Sequence, residues 1–269
     1  MSIPQIFNTQ RIKAHRQALA RQNRFKPSLH QYVGGEIADR VRALDRNFPK
    51  ALEIGTGSAS LKNTRAGERI GDLFSCDIAP AIAAQASRRK AFAANQEALP
   101  LKQKQLDLIA SILNLHHVND LPGALLQCRR SLRSKGIFLA VMFGEGTLEE
   151  LRASLHEAEL LAGREPQPRI APFADLPTLG NLLARAGFLH AIADIERLTL
   201  RYESLADLID NLRAMGETGV LAAPGTPLSR TVMRHAEDIY RQRFPHNEGG
   251  IRASFPLAYL IGHAPDESR

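Results

Sequence analysis

Short continuous apolar runs alternate along this chain with longer stretches whose apolar residues recur at helical spacing. Residues 29–46 carry that spacing, interrupted only by Gly34 and Gly35, and predict a helix ending before Pro49. The apolar run 51–54 predicts a strand, and the glycine-rich turn GTGSAS follows it at 55–60. A second strand is predicted at 73–76, ending in Asp77. An alanine-rich helix follows Pro80, a residue suited to a first helical turn. The segment LDLIASIL at 106–113 is almost wholly apolar and rich in branched residues, the pattern of a strand buried on both faces. Residues 121–133 predict a helix closed by Lys135 and Gly136, a basic last turn and a glycine stop, and 137–143 predict the next strand.

The second half continues the alternation. Residues 147–161 read as a helix with an acidic start, and a proline-rich connection then leads to Asp175, placed to cap a helix that stops at Gly187. Residues 189–195 and 198–202 read as extended, 204–215 and 229–244 as helices, and 251–261 as extended again. Strand, helix and strand at short spacing require parallel crossovers. The fold class is therefore α/β, a doubly wound and mostly parallel sheet with an N-terminal helical extension and helical insertions late in the chain. Residues 1–48 are expected to form the extension, 49–145 a cofactor-binding half and 146–269 a substrate-side half.

The chain has 269 residues, of which 44% are hydrophobic and 23% charged, so a full core is possible and a disordered or fibrous chain is excluded. Its net charge of +7 suggests nucleic acid until the charge is located. Arg11, Lys13, Arg16, Arg21, Arg24 and Lys26 fall in the first thirty residues with no acid, and the remainder is almost neutral. The excess belongs to one basic arm, and nucleic acid is not expected as a partner. On a helical wheel Ile12, His15, Ala18 and Leu19 share one side, opposite Lys13, Arg16, Arg21 and Arg24. That leaves a solvated helix, apposition to an anionic membrane surface, or contact with a protein as readings of the arm. Cys76 and Cys128 make neither a disulfide framework nor a metal-ligand pair, which fits a reducing compartment. No apolar run approaches the length of a membrane-spanning helix.

The sequence LEIGTGSAS (52–60) sets Glu53 at a strand end before Gly55 and Gly57, where the backbone can approach a ligand closely. A dinucleotide site would need a third glycine, and Ala59 and Ser60 stand instead. An S-adenosylmethionine site needs no pyrophosphate cradle. It uses an acid before the glycines for the amino-acid moiety and an acid ending the second strand for the ribose, the places of Glu53 and Asp77.

With NQEALPL (95–101) and LDLIASILNLHHVNDLP (106–122), the chain resembles the class I S-adenosylmethionine-dependent methyltransferases, which have a Rossmann-like seven-stranded sheet. Within that superfamily IFNTQRIKAHRQALAR, IAPFADLPTLGNLLARAGF, RYESLADLIDNLRAMGET and IRASFPLAYLIGHAP resemble the complex I assembly factor five family over almost the whole chain. The resemblance implies S-adenosylmethionine as cofactor, held by Glu53, Gly55, Thr56, Gly57, Asp77, Ile78, Asn95, Gln96 and Asn114. Asn95 stands where an adenine-reading acid is usual, Ala59 where a third glycine is usual, and His117 where a tryptophan is usual. His116 and His117 are the candidate catalytic residues facing the acceptor, although adjacent residues leaving a strand point to opposite sides. The trio His116, His117 and Asp120 lacks the spacing of a metal site, and no metal is expected.

For the family, the implied activity is modification of an arginine in an iron–sulfur subunit of respiratory complex I. That would make the basic arm (Arg11, Lys13, Arg16, Arg21, Arg24) a docking surface for a protein substrate, with peripheral membrane contact as a further role. The implied location is the cytoplasm, at the inner membrane face, or the mitochondrial matrix in a eukaryote. A carboxyl O-methyltransferase resembling the biotin-pathway enzyme and a binding-only assembly chaperone are the competing classes.

Overall fold

The computed structural model describes residues 4–26, 28–57, 61, 65–86 and 90–266. Seven strands form one sheet in the order β3-β2-β1-β4-β5-β7-β6. They are β1 (Phe48–Ile54), β2 (Ile70–Asp77), β3 (Ala91–Ala93), β4 (Leu106–Ile112), β5 (Leu132–Phe143), β6 (Leu189–Tyr202) and β7 (Ile251–His263). The first five run parallel, and β7 enters antiparallel between β5 and β6. The helices are α1 (Thr9–Arg21), α2 (Ser28–Ala43), α3 (Pro80–Ala86), α4 (Leu121–Ser131), α5 (Glu149–Leu161), α6 (Leu176–Arg185), α7 (Leu205–Met215) and α8 (Arg230–Arg243).

The period-two rule of strands explains the two layers. Ala51, Leu108, Ala110, Ile137, Leu139 and Val141 pack with α2, α5, α7 and α8. Their neighbours Leu52, Ile54, Ile109, Phe138, Ala140 and Met142 pack on the opposite face with α4 and α6. Every residue of β4 is buried, as its continuous apolar run predicts. Asp175 caps α6 by accepting from the Thr178 amide at 2.7 Å, and Gly187 leaves that helix with φ +85°.

Two expectations shift. The helix read over 121–133 ends at Ser131, because Leu132 is only 1% exposed and pairs with Leu106 in the sheet. Lys135 and Gly136 do not stop a helix; they lie in an irregular stretch of β5, where Lys135 takes φ +61° and the pairing with β4 slips. The two extended segments after 189 are one strand, since β7 pairs with β6 straight through Glu196 and Arg197.

The carboxyl ends of β1, β2 and β4 meet around Gly55. Its amide donates to the Cys76 carbonyl at 2.9 Å and its φ is +77°. A Cβ there would stand 2.5 Å from the Asn114 Cβ and 2.7 Å from the Ile112 carbonyl, so only glycine lets the first strand end touch the turn after β4. Gly55→Ala should therefore lower stability by more than about 1–3 kcal/mol, the scale of a strained backbone position. Thermal unfolding of the variant checks it, and an unchanged midpoint would refute the close approach.

Candidate functional site

The residues read from the sequence as cofactor ligands come together at these strand ends. Glu53 is fully buried and accepts from the Leu61 amide at 2.8 Å, tying back the end of the glycine loop. Thr56 is buried in that loop, and Gly57 has φ +40°. Ile78, Asn95, Gln96 and Asn114 line one crevice with Thr9, Ile12 and Arg16 of α1. Asn95 Oδ1 accepts from the Glu97 amide at 3.1 Å, an Asx turn that holds its amide at the crevice edge. Ala59, the position of the missing third glycine, lies outside the described residues.

Asp77, at the end of β2, is fully buried. Its Oδ1 accepts from the Ala79 amide at 2.8 Å, and its Oδ2 is 2.7 Å from Nη2 of Arg16. This corrects the reading of the basic arm. Arg16 is 3% exposed and belongs to no docking surface. The packing face of α1 is Ile12, Arg16, Leu19 and Ala20, a true helical stripe in which the arginine is one of the buried members. Burial opposes the Arg16 charge, but the attraction and hydrogen bond of Asp77 outweigh it, with help from Glu217, and its pKa is raised. Arg11, Lys13, Arg21 and Arg24 remain exposed.

The arm is fastened elsewhere as well. Phe7 pairs with Leu221, the Phe7 amide donates to Asn119 Oδ1 at 2.8 Å, and Gln17 Oε1 accepts from the Ala81 amide at the start of α3. The helix thus closes the crevice, whose free volume is about 20 Å³, room for about one water molecule.

His116 and His117 follow β4 on a 3-10 helix at Leu115–His117, entered through Leu113 at φ +42°. The alternation of a strand no longer applies there. Their ring centroids lie 4.2 Å apart, and both Nε2 atoms are 3.3 Å from the same Oε2 of Glu217. The expectation that adjacent histidines cannot face one site is therefore overturned by the 3-10 turn. Burial, then the Arg16 charge, pushes the His116 pKa down to about 3. His117 is also pushed down to about 3, burial again leading and Glu217 opposing it. Burial raises the pKa of Glu217 against His117 and Arg16. Asp120 lies apart from this cluster in role, since its carboxylate caps α4 by accepting from the Gly123 amide at 2.8 Å.

Glu217 was missed by sequence reasoning because it lies a hundred residues beyond the histidines. Its signal was the LRAMGE segment. Gly216 takes φ +82° as the left-handed stop of α7, and the Glu217 amide then donates to the Leu212 carbonyl at 2.9 Å. A cavity of about 250 Å³ opens beyond this cluster, mostly apolar, lined by His117, Phe143, Leu151, Phe173, Ile209 and Glu217 among others. His117 lines both this cavity and the crevice at the strand ends.

Residues 52–140 match the methyltransferase domain family. The human protein named arginine-hydroxylase NDUFAF5, mitochondrial, is 37% identical over 90% of this chain and 71% of its own length. The chain belongs to the NDUFAF5 arginine-hydroxylase family. A malonyl-[acyl-carrier protein] O-methyltransferase of Halorhodospira halophila is 29% identical, with 85% of this chain and 79% of that protein covered. Among solved structures, a putative methyltransferase of Bacillus halodurans superposes with a TM-score of 0.59 at 13% identity, covering 86% of this chain and 98% of its own, a likeness of fold. This NDUFAF5-family chain is thus a methyltransferase-like enzyme whose cofactor is S-adenosylmethionine. The donor set suits that group: a carboxylate ends β2, and Thr56 Oγ1 and Asn114 Oδ1 are buried without hydrogen-bond partners among the described residues. Among the described residues no helix is long and apolar enough to cross a membrane.

Two outcomes test this geometry. Removing Asp77 alone leaves the Arg16 charge buried and unpaired, so Asp77→Ala should cost about 3–5 kcal/mol in chemical denaturation. The pair Arg16→Met with Asp77→Leu should recover most of the loss. An Asp77→Ala protein as stable as wild type would mean the pair is open in solution.

His30 supplies a pH test. Its imidazole is fully buried and held well below its ordinary pKa, first by burial and then by the Arg16 charge. The unfolded chain takes up this proton near about pH 6.5 and the folded chain does not. Stability from this group is therefore complete above that pH and lost below it, by up to about 1.4 kcal/mol per pH unit. Melting temperature should fall on acidification from about pH 7 to about pH 5, and less steeply in His30→Leu. Parallel profiles for the two proteins would exclude His30 as a source of the slope.

Proposed function

We propose that this enzyme uses its S-adenosylmethionine site to support modification of a protein arginine, in an iron–sulfur subunit of respiratory complex I during its assembly. The observation that carries the reading is the position of His117, a shared wall between a nucleoside crevice and a separate apolar cavity. Cofactor and acceptor thereby reach one point from two sides, and positioning of that kind supplies much of the rate of a group transfer. The arginine acceptor comes from the relatives named arginine-hydroxylase, which are more similar to this chain than the malonyl methyltransferase is. The iron–sulfur subunit and the location, at the cytoplasmic or matrix face of the respiratory membrane, come from the family resemblance.

In this reading Asp77 accepts from the ribose hydroxyls, Asn95 Oδ1 from the adenine amino group, and Glu53 holds the glycine loop beneath the amino-acid moiety. Ile78 and Gln96 flank the base, and Asn114 lies over Gly55. Residues 49–145 hold the cofactor and 146–269 supply the cavity. His116 and His117 stand between them, on the side from which an acceptor would approach the cofactor. Because Arg16 occupies Asp77 in the closed crevice, α1 has to yield Asp77 as the nucleoside enters. Lys13, Arg21 and Arg24 stay exposed to meet an acidic partner surface, with Arg11 beside them donating to the Leu221 carbonyl at 3.1 Å.

Calorimetry with S-adenosylmethionine tests the ribose assignment in a background that removes the Arg16 charge competing for Asp77. Arg16→Met with Asp77→Asn should bind at least about tenfold more weakly than Arg16→Met alone, since a charge-assisted hydrogen bond contributes about 1.5–3 kcal/mol. Equal binding would remove Asp77 from the ribose site. Mass spectrometry of the iron–sulfur subunit from cells with and without this protein reads the reaction. A gain of one oxygen atom on an arginine is expected, taken from dioxygen with two electrons from an external reductant and the second oxygen atom leaving as water; a gain of one methylene group would make the reaction a methylation, and an unmodified arginine would refute the function.

A further inference from the structure

The cluster of His116, His117 and Glu217 has two features that a hydrogen-bonded triad leaves unexplained. First, its ligand atoms lie within 4.8 Å of one another, and each Nε2 stands 3.3 Å from one carboxylate oxygen. That is long for a hydrogen bond between an imidazole and a carboxylate, which centres on about 2.7–3.0 Å. It is close to the separation of neighbouring ligands around a cation, because two bonds of about 2.0–2.1 Å at a tetrahedral angle put their donor atoms about 3.3 Å apart. Second, the Glu217 side chain is only 6% exposed, yet among the described residues its Oε1 has no hydrogen-bond partner and its Oε2 is within reach of the two rings alone, with Arg16 acting on it only as a more distant charge. Arg16, the buried cation of this region, directs its hydrogen bonds to Asp77. A buried carboxylate so served carries an unmet demand for positive charge.

We propose that His116, His117 and Glu217 bind a divalent first-row transition cation at the wall between the cofactor crevice and the apolar cavity. Two imidazole nitrogens and one carboxylate oxygen form a set of borderline softness, suited to Zn²⁺, Fe²⁺ or Co²⁺ and poorly suited to Mg²⁺ or Ca²⁺, which prefer oxygen cages. The supports are those of a built site. The 3-10 turn fixes both histidines on one side, and the left-handed Gly216 fixes the glutamate opposite them. Phe143 packs on the His116 ring at 4.7 Å between centroids and Phe7 on that of His117 at 5.4 Å, so both rings are held by apolar neighbours. His117 and Glu217 also line the cavity, so a bound cation lies within reach of whatever the cavity admits. The inference stands on these three side chains and does not require the cofactor or arginine assignments.

Co²⁺ is the probe, because its ligand-field spectrum reports coordination by nitrogen and oxygen. Full-length protein stripped with a chelator and titrated with Co²⁺, in the absence of S-adenosylmethionine, should bind one ion per chain. Glu217→Gln and His117→Gln should each weaken binding by at least about tenfold, the loss that follows from removing even an outer partner of a metal site. His156→Gln, which removes an exposed histidine on α5, should bind as wild type does. Proton spectra of the Co²⁺-loaded wild type, which need no variant to fold, should show two strongly shifted exchangeable imidazole resonances. Binding below one ion per chain, affinity indifferent to both ligand substitutions, equal loss in His156→Gln, or the absence of shifted imidazole signals would each overturn the site. Failure of the Asp77 calorimetry with one Co²⁺ still bound would refute only the cofactor assignment.

Discussion

A buried ion pair between Arg16 and Asp77 ties the first helix to the end of the second strand, and the remainder of the site is arranged around it. Charges are costly to bury, so both partners need more than each other. Asp77 also takes the Ala79 amide, and Arg16 lies in the ring of Phe25, Gly216 and the strand ends. Gly216 is what makes room: a Cβ there would stand 3.2 Å from the arginine's Cγ, and the same glycine stops α7 so that Glu217 turns inward. One arginine thereby couples the arm, the expected ribose anchor and the late helical insertion that supplies the glutamate.

That coupling changes what the basic arm is for. Its exposed members still give the molecule a positive edge, but its packing face is the roof of the crevice at the strand ends. Opening the crevice means separating a buried pair, so a ligand that enters has to offer Asp77 hydrogen bonds in exchange. The arm is thus neither a loose extension nor only a docking handle. Its strand-like contact with Leu221 and the paired hydrogen bonds between Phe7 and Asn119 anchor it on both sides of the histidines.

The strands, the helix caps and the doubly wound order were legible because each rests on local chemistry. Continuous apolar runs need cover on two faces, Asp175 caps its own helix, and Gly187 and Gly216 take up a left-handed turn that follows directly from the backbone. That the residues expected to hold the cofactor come together was legible for a related reason: Glu53, Gly55 and Asp77 are placed at the strand ends by the strands themselves, where an open sheet takes its ligand. The exceptions show where locality fails. Lys135 and Gly136 look like a helix stop, yet the burial of Leu132 draws the chain into the sheet before them. Asp120, the acid nearest the two histidines in sequence, serves instead the amide of Gly123 three residues on.

The sequence by itself determined the layers and the sheet, which follow from periodicity, and the kind of cofactor, which its family resemblance implies. Only the tertiary structure decided that Arg16 faces inward and that Glu217 meets His116 and His117. A charge on a helical wheel is assigned to solvent until a partner is known, and each partner here comes from a distant element. Asp77 lies 61 residues from Arg16, and Glu217 lies 101 from His116. Such pairings are set by which strand ends and helix stops the fold brings together, and no local pattern records them.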